Sequence, residues 1–162
     1  MDLSIRRICP ADLDTVTKIE AACFPPAEAA KRETMARRIA AFPHSFLIAE
    51  LEGAPAGLIN GCVTSQQTIT DDLFADASLH NPDGAYQSVF GLCVLPEYQR
   101  RGIAAQLMRA FCELARADGR KGVILTCKQH LIPYYERFGF ENLGVSQSVH
   151  GGAVWYDLLL RF

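Results

Sequence analysis

Two sets of residues in this 162-residue chain are of types that carry chemistry, and their spacing decides which chemistry. The first is the loop Leu95-Pro96-Glu97-Tyr98-Gln99-Arg100-Arg101-Gly102-Ile103-Ala104, which runs into residues with helical spacing. Amide N–H groups at a helix start lack partners and carry the positive end of the helix dipole. A phosphate satisfies both features. Gly102 has no side chain to hold an anion away from the backbone, Arg100 and Arg101 add positive charge, and Ala104 keeps the next turn small. The same residues also suit an ordinary turn in a crossover connection. No Gly-Lys-Ser/Thr follows, so the loop is not a nucleotide-triphosphate loop, and a single glycine does not make the dinucleotide pattern.

The second set is six cysteines: Cys9, Cys23, Cys62, Cys93, Cys112 and Cys127. None lies within four residues of another, so no zinc-type pair exists and no metal is expected. Most stand among apolar residues, which predicts free, small core thiols in a reducing compartment.

The elements that must position the loop follow from periodicity. Residues 4–8 alternate as a strand, and Asp12 or Asp14 can cap a helix running to about Ala22. Pro25-Pro26 breaks the chain, and residues 27–41 predict a second helix. Residues 45–50 and 56–64 predict a hairpin around Glu52-Gly53. Residues 65–84 form a long polar stretch with a short helix near 71–74 and a turn at Pro82-Asp83-Gly84. Residues 86–94 predict a strand, 102–117 an amphipathic helix through Ile103, Leu107, Ala110, Phe111 and Leu114, and 123–127 a buried strand. Strand, loop, helix, strand is a crossover unit with parallel strands. Residues 131–137 predict a short helix, and 140–148 and 153–160 two last strands joined across Gly151-Gly152.

Gln99-Arg100-Arg101-Gly102-Ile103-Ala104 resembles the Gln/Arg-x-x-Gly-x-Gly/Ala signature of the GNAT acetyltransferase superfamily. Val94-Leu95-Pro96-Glu97-Tyr98 is similar to that family's approach to the signature. Tyr134-Tyr135-Glu136-Arg137-Phe138-Gly139-Phe140 is similar to its Phe-Tyr-x-x-x-Gly-Phe segment. Leu79-His80-Asn81-Pro82-Asp83-Gly84, with residues 131–140, resembles the arylalkylamine (serotonin-type) N-acetyltransferases. Cys23-Phe24-Pro25-Pro26 stands where that group has a mobile substrate loop. Residues before position 80 match only loosely.

The resemblance implies one domain over residues 1–162 with the GNAT fold: α/β, a mixed, bent sheet of six or seven strands with helices on both faces. It implies acetyl-CoA as co-substrate, its pantetheine arm against the backbone of Leu92, Cys93 and Val94, in a gap where that strand splays from its parallel neighbour. Its pyrophosphate would rest on Gln99, Arg100, Arg101, Gly102, Ile103, Ala104 and Ala105. Tyr135 matches the tyrosine beside the thioester sulfur, which protonates or hydrogen-bonds the departing thiolate. Direct transfer in this family argues against an acetylated Cys127.

The acceptor must lose a proton first. An alkylammonium with a pKa near ~10.4 is almost wholly charged at pH 7, so a base or water chain is needed. The two histidine positions of the arylalkylamine enzymes hold Ser88 and Phe90 here. Ser88 could relay a proton through water, and His80 and His150 are replacement candidates, ahead of His44 and His130. Phe24, Pro25, Phe90 and Thr126 are expected around the acceptor, Trp155 is expected to pack the final strand, and Asp71, Asp72 and Asp76 could attract a cationic amine.

Bulk properties bound these readings. Hydrophobic residues make up 49% of the chain and charged ones 21%, an ordinary globular balance. A net charge of -2 gives no broad nucleic-acid surface. No apolar run is long enough to span a membrane, and the first seven residues predict no leader. The expected protein is a cytoplasmic monomer or homodimer acetylating a small primary amine, an aryl/alkylamine or a polyamine. The alternatives are a peptide N-acetyltransferase and an acetyl-CoA sensor without turnover.

Overall fold

The structure is a computed structural model that describes residues 2–162. Nine strands and five helices follow in the order β1 (Leu3–Arg7), α1 (Leu13–Cys23), α2 (Arg32–Ala41), β2 (Phe46–Leu51), β3 (Ala54–Asn60), β4 (Val63–Thr64), α3 (Asp71–Ala75), β5 (Tyr86–Val89), β6 (Gly91–Val94), α4 (Ile103–Ala117), β7 (Gly122–Cys127), α5 (Ile132–Glu136), β8 (Glu141–Val145) and β9 (Tyr156–Arg161). The fold is α/β, as expected. The seven strand runs read from the sequence are all present, and two of them are interrupted to give nine.

Both interruptions belong to one feature. The run 56–64 breaks at Gly61-Cys62 into β3 and β4, and the run 86–94 breaks at Phe90 into β5 and β6. The pieces sort into two sheets, β1-β2-β3-β6 and β4-β5-β7-β9-β8. The broken runs are stitched at the crossing point, where Phe90 N–H donates to the Asn60 carbonyl at 2.7 Å and Ser88 N–H to the Cys62 carbonyl at 2.9 Å. A Cβ on Gly61 would stand 1.9 Å from the Ser88 carbonyl oxygen, so only glycine fits there.

β5 runs parallel to β7, with Tyr86 opposite Gly122 and Val89 opposite Leu125. After Phe90 the chain leaves β7, and β6 pairs antiparallel with β3 instead. The strand before the loop therefore splays from its parallel neighbour, and β6 has no strand partner on its β7 side.

Helix α4 covers one side. Its Ile103, Leu107, Met108 and Phe111 are buried in a core shared with Leu47, Ile59 and Val94 of the first sheet and Val123, Leu125 and Leu158 of the second. Helices α1 and α2 pack on the other face, where Val16, Ile19, Met35 and Ile39 meet Phe46, Ile48, Leu58 and Cys93.

Helix α2 is shorter than the run 27–41. Glu28 and Ala29 N–H both donate to the Pro25 carbonyl, and Ala30 N–H is taken by the Glu20 side chain. These bonds hold residues 25–30 in a turn, and Lys31 enters the helix from extended backbone. The last two strands are also shorter, because residues 150–152 form a tight turn with Gly151 and Gly152 at φ 62° and 71°.

Candidate active site

The loop before α4 is built as a helix start. Residues Pro96–Tyr98 make one 3-10 turn, and the Gln99 side-chain amide donates to the Val94 carbonyl at 3.1 Å, bracing the loop against β6. Arg100 and Gly102 have φ 64° and 78°. The first backbone bond of α4 runs from Gln106 N–H to the Gly102 carbonyl. The amides of Ile103, Ala104 and Ala105 precede it and have no carbonyl four residues back. No atom lies within 4 Å of where a Gly102 Cβ would be, so the space over the helix start is open. Ile103 offers only its backbone, its side chain being buried.

At the other end of β6 lies a partly open cavity of about 110 Å³. Gly91 and Leu92 of β6 and Leu125, Thr126 and Cys127 of β7 form its floor, where the strands part. Tyr135 of α5 stands at this floor. Phe24, Ile69, Phe74, Phe90 and Trp155 form the walls, and Glu20, Glu28, Asp71, Ser148 and His150 add polar groups.

Helix α5 explains which of two adjacent tyrosines faces inward. Pro133 sits in its first turn, and Ile132 and Tyr135, three apart, are both buried. Tyr134 packs edge-on against Tyr135 with ring centres 5.2 Å apart and is half-buried. Burial raises the Tyr135 phenol well above its ordinary range, so it holds its proton. Cys127 beside it is pushed up to about 11 by burial, which keeps it a neutral thiol and a weak nucleophile at pH 7.

Of the expected acceptor residues, Phe24, Phe90 and Thr126 line the cavity. Pro25 does not: it is exposed, and its carbonyl closes the turn with Glu28 and Ala29. Ser88 is fully buried away from the cavity, with its hydroxyl donating to the Cys62 carbonyl at 2.8 Å. It cannot relay a proton from an acceptor there. His80 is also structural, since its Nδ1 accepts from Val63 N–H and its ring stacks near Phe42. His44 pairs with Asp118 at 2.8 Å, and His130 is exposed.

His150 does reach the cavity. Its Nε2 lies 2.9 Å from the Glu28 carbonyl, and its ring stacks on Phe74 at 4.2 Å. Trp155 was expected only to pack the last strand. It lines the cavity instead, held by its Nε1–H donating to the His150 carbonyl at 2.8 Å. Asp71 is the one member of the acidic stretch in the wall, and both its oxygens are engaged, by Ser148 and Val149.

The residue that sequence reading passed over is Glu20. It is 2% exposed. Its Oε2 accepts from Ala30 N–H at 2.9 Å, while Oε1 has no hydrogen-bond partner. A Cβ on Gly91 would sit 3.3 Å from that oxygen. The signal was available: Val16, Ile19 and Glu20 fall at helical spacing, so an acid stands in the buried stripe of α1.

A sheet that parts before a loop and helix start, with an aromatic cavity at the parting, is the layout of the acyltransferase class of α/β fold. Residues 13–140 match the model of the acetyltransferase (GNAT) family, and the chain belongs to that family. It is 31% identical over 146 residues to the probable hydrolase YhcX of Bacillus subtilis, covering 85% of this chain and 28% of that protein. It is 25% identical over 108 residues to the serotonin N-acetyltransferase of Mesocricetus auratus, covering 66% of this chain and 51% of that one. The chain thus spans about half or less of the length of these two relatives. Among solved structures it superposes on the GNAT-like decarboxylase GphF in complex with isobutyryl-CoA. The TM-score is 0.82 at 20% identity, over 98% of each chain, a likeness of fold.

Proposed function

We propose that the chain is an acetyl-CoA-dependent N-acetyltransferase acting on a primary amine with an aryl or alkyl body. One observation carries this reading: β6, an edge strand, runs from an aromatic cavity lined by Tyr135 toward the loop that enters α4. Acetyl-CoA supplies an activated acetyl group, whose C–S bond breaks as the amine nitrogen forms a C–N bond. The backbone of Leu92, Cys93 and Val94 would hold the pantetheine, and the amides from Arg100 to Ala105 the pyrophosphate. Tyr135, which keeps its proton, would donate to the departing thiolate. Phe24, Phe90 and Thr126 would seat the acceptor, with Phe74 and Trp155 added. The similarity to a serotonin N-acetyltransferase supports an arylalkylamine, and the aromatic lining and the cavity volume of about 110 Å³ suit a small acceptor.

The test is thiol release from acetyl-CoA against tryptamine, phenethylamine, spermidine, lysine and a short peptide. Tryptamine or phenethylamine should be turned over best. Tyr135→Phe should lower kcat by roughly 10²-fold, the scale of a lost proton donor, with acetyl-CoA affinity unchanged. Preference for the peptide would replace the small-amine reading. No turnover with acetyl-CoA bound would favour a sensor.

A further inference from the structure

We infer that Glu20 is the group in this chain that receives the acceptor's ammonium and takes its proton, an assignment that rests on the acetyltransferase reading above. A buried carboxylate needs a full set of hydrogen bonds or a bonded cation, and Glu20 has neither. One oxygen is satisfied by Ala30 N–H, and the other, Oε1, is buried beside Gly91 with no hydrogen-bond partner among the described residues. Glu20 lines the cavity, and a side chain at position 91 would crowd this oxygen, a Cβ there standing 3.3 Å from it.

Arg38 of α2 makes no ion pair with it. This arginine is 1% exposed and donates from its two terminal nitrogens to Asn60 Oδ1 and to the Phe74 carbonyl, each at 3.1 Å, while its Nε has no partner among the described residues. Its guanidinium lies 4.6 Å from the Phe74 ring centre and 4.7 Å from that of Phe90. These bonds also hold two walls of the cavity in place. Arg38 therefore acts on Glu20 through its field alone.

The other groups around Glu20 make no hydrogen bond to Oε1 among the described residues. Asn60 comes from β3 with its amide nitrogen unpartnered, Cys93 from β6, Cys23 from the same helix, and His150 from the β8–β9 connection. Burial raises the Glu20 carboxyl above its usual range, while Ala30 N–H, Arg38 and His150 draw it back. A carboxylate raised in this way is a better base than a solvated one. The remaining acids of the cavity are used: Glu28 pairs with Lys128 at 2.8 Å, and Asp71 is bonded twice.

The proton balance is simple. The ammonium passes one proton to Glu20, giving a neutral amine and a carboxylic acid. The amine nitrogen forms the C–N bond, and the C–S bond breaks. The nitrogen then carries one proton more than the amide product, and that proton replaces the one the thiolate takes. Glu20 finally returns its own proton to solvent.

The primary experiment follows the Glu20 side-chain carboxyl by 13C NMR in the full chain while phenethylamine is added without acetyl-CoA. Phenethyl alcohol, the neutral analogue, serves as the control. The amine should shift the Glu20 titration to lower pH and the alcohol should not. Glu20→Gln keeps an acceptor for Ala30 N–H and removes the charge. It should weaken phenethylamine binding at least tenfold, leave acetyl-CoA affinity unchanged, and remove the acidic limb of the kcat/KM profile. An unshifted carboxyl, or a variant within threefold of wild type in amine binding, overturns the assignment. If wild type turns over no amine yet phenethylamine still moves the carboxyl, Glu20 stands as the ammonium site and the transferase reading falls.

Discussion

At the scale of single residues, the two groups with the most to say are a phenol and a carboxyl, both buried and both pushed upward. For Tyr135 the shift is functionally neutral, because a donor to thiolate needs only to keep its proton. For Glu20 the shift has a stability consequence. An acid whose folded pKa lies above its unfolded value, about 4.3 for glutamate, stabilises the fold relatively below that value. This contribution disappears as pH rises through the folded pKa. At pH 7 to 8 the ionised carboxylate is then a burden, which Gln does not carry. Glu20→Gln should melt at or above the wild-type temperature at pH 8, and the difference should shrink as pH falls toward 4.5. A variant that melts well below wild type at pH 8 would show that the charge holds the fold. The sequence makes Tyr135 legible through its motif. Glu20 was legible only in part, because its spacing with Val16 and Ile19 sets it in one stripe but the partner face decides that the stripe is buried.

At the scale of elements, α4 and its approach do most of the positioning. Gly102 reads directly from the sequence as the helix-start glycine, and its φ of 78° gives the reason. A side chain there meets no atom within 4 Å, so the penalty of a substitution is conformational and not steric. Gly102→Ala should cost about 1–2 kcal/mol of stability, the price of left-handed backbone in an L-residue. It should also weaken acetyl-CoA binding, since the methyl group enters the space a phosphate would use. Equilibrium denaturation and calorimetry on one preparation would check both, and unchanged affinity would move the phosphates off this helix start. The strand breaks at Gly61-Cys62 and Phe90 were not legible. Residues 56–64 and 86–94 are mostly apolar and contain no proline, so each reads as one strand. Only the pairing of β3 with β6, and of β5 with β7, forces each to bend. The same limit applies to α2, where residues 27–31 have helical composition but Glu28, Ala29 and Ala30 spend their amides on Pro25 and Glu20.

At the scale of the whole molecule, two sheets share a core without sharing a ladder along β6. Strand pairing joins β5 to β7 for four residues and then stops, and α4 spans the gap from above through Leu107 and Phe111. A ligand lying along β6 would supply contacts the protein lacks there. Its binding energy should therefore appear as stability of the region where the sheets part. At a ligand concentration 100 times Kd, mass action adds about 2.7 kcal/mol. For a domain of this size that is roughly 5–11 °C in Tm. Acetyl-CoA should give a rise of this order, and hydrogen exchange should slow most in β6, β7 and the first turn of α4. The edge strands β1 and β8, each paired on one side only, should change least. A rise in Tm with protection spread evenly over the chain would mean that the ligand acts on global unfolding alone. Protection confined to β1 or β8 would place acetyl-CoA outside the gap and separate the helix start from the cavity as parts of one site.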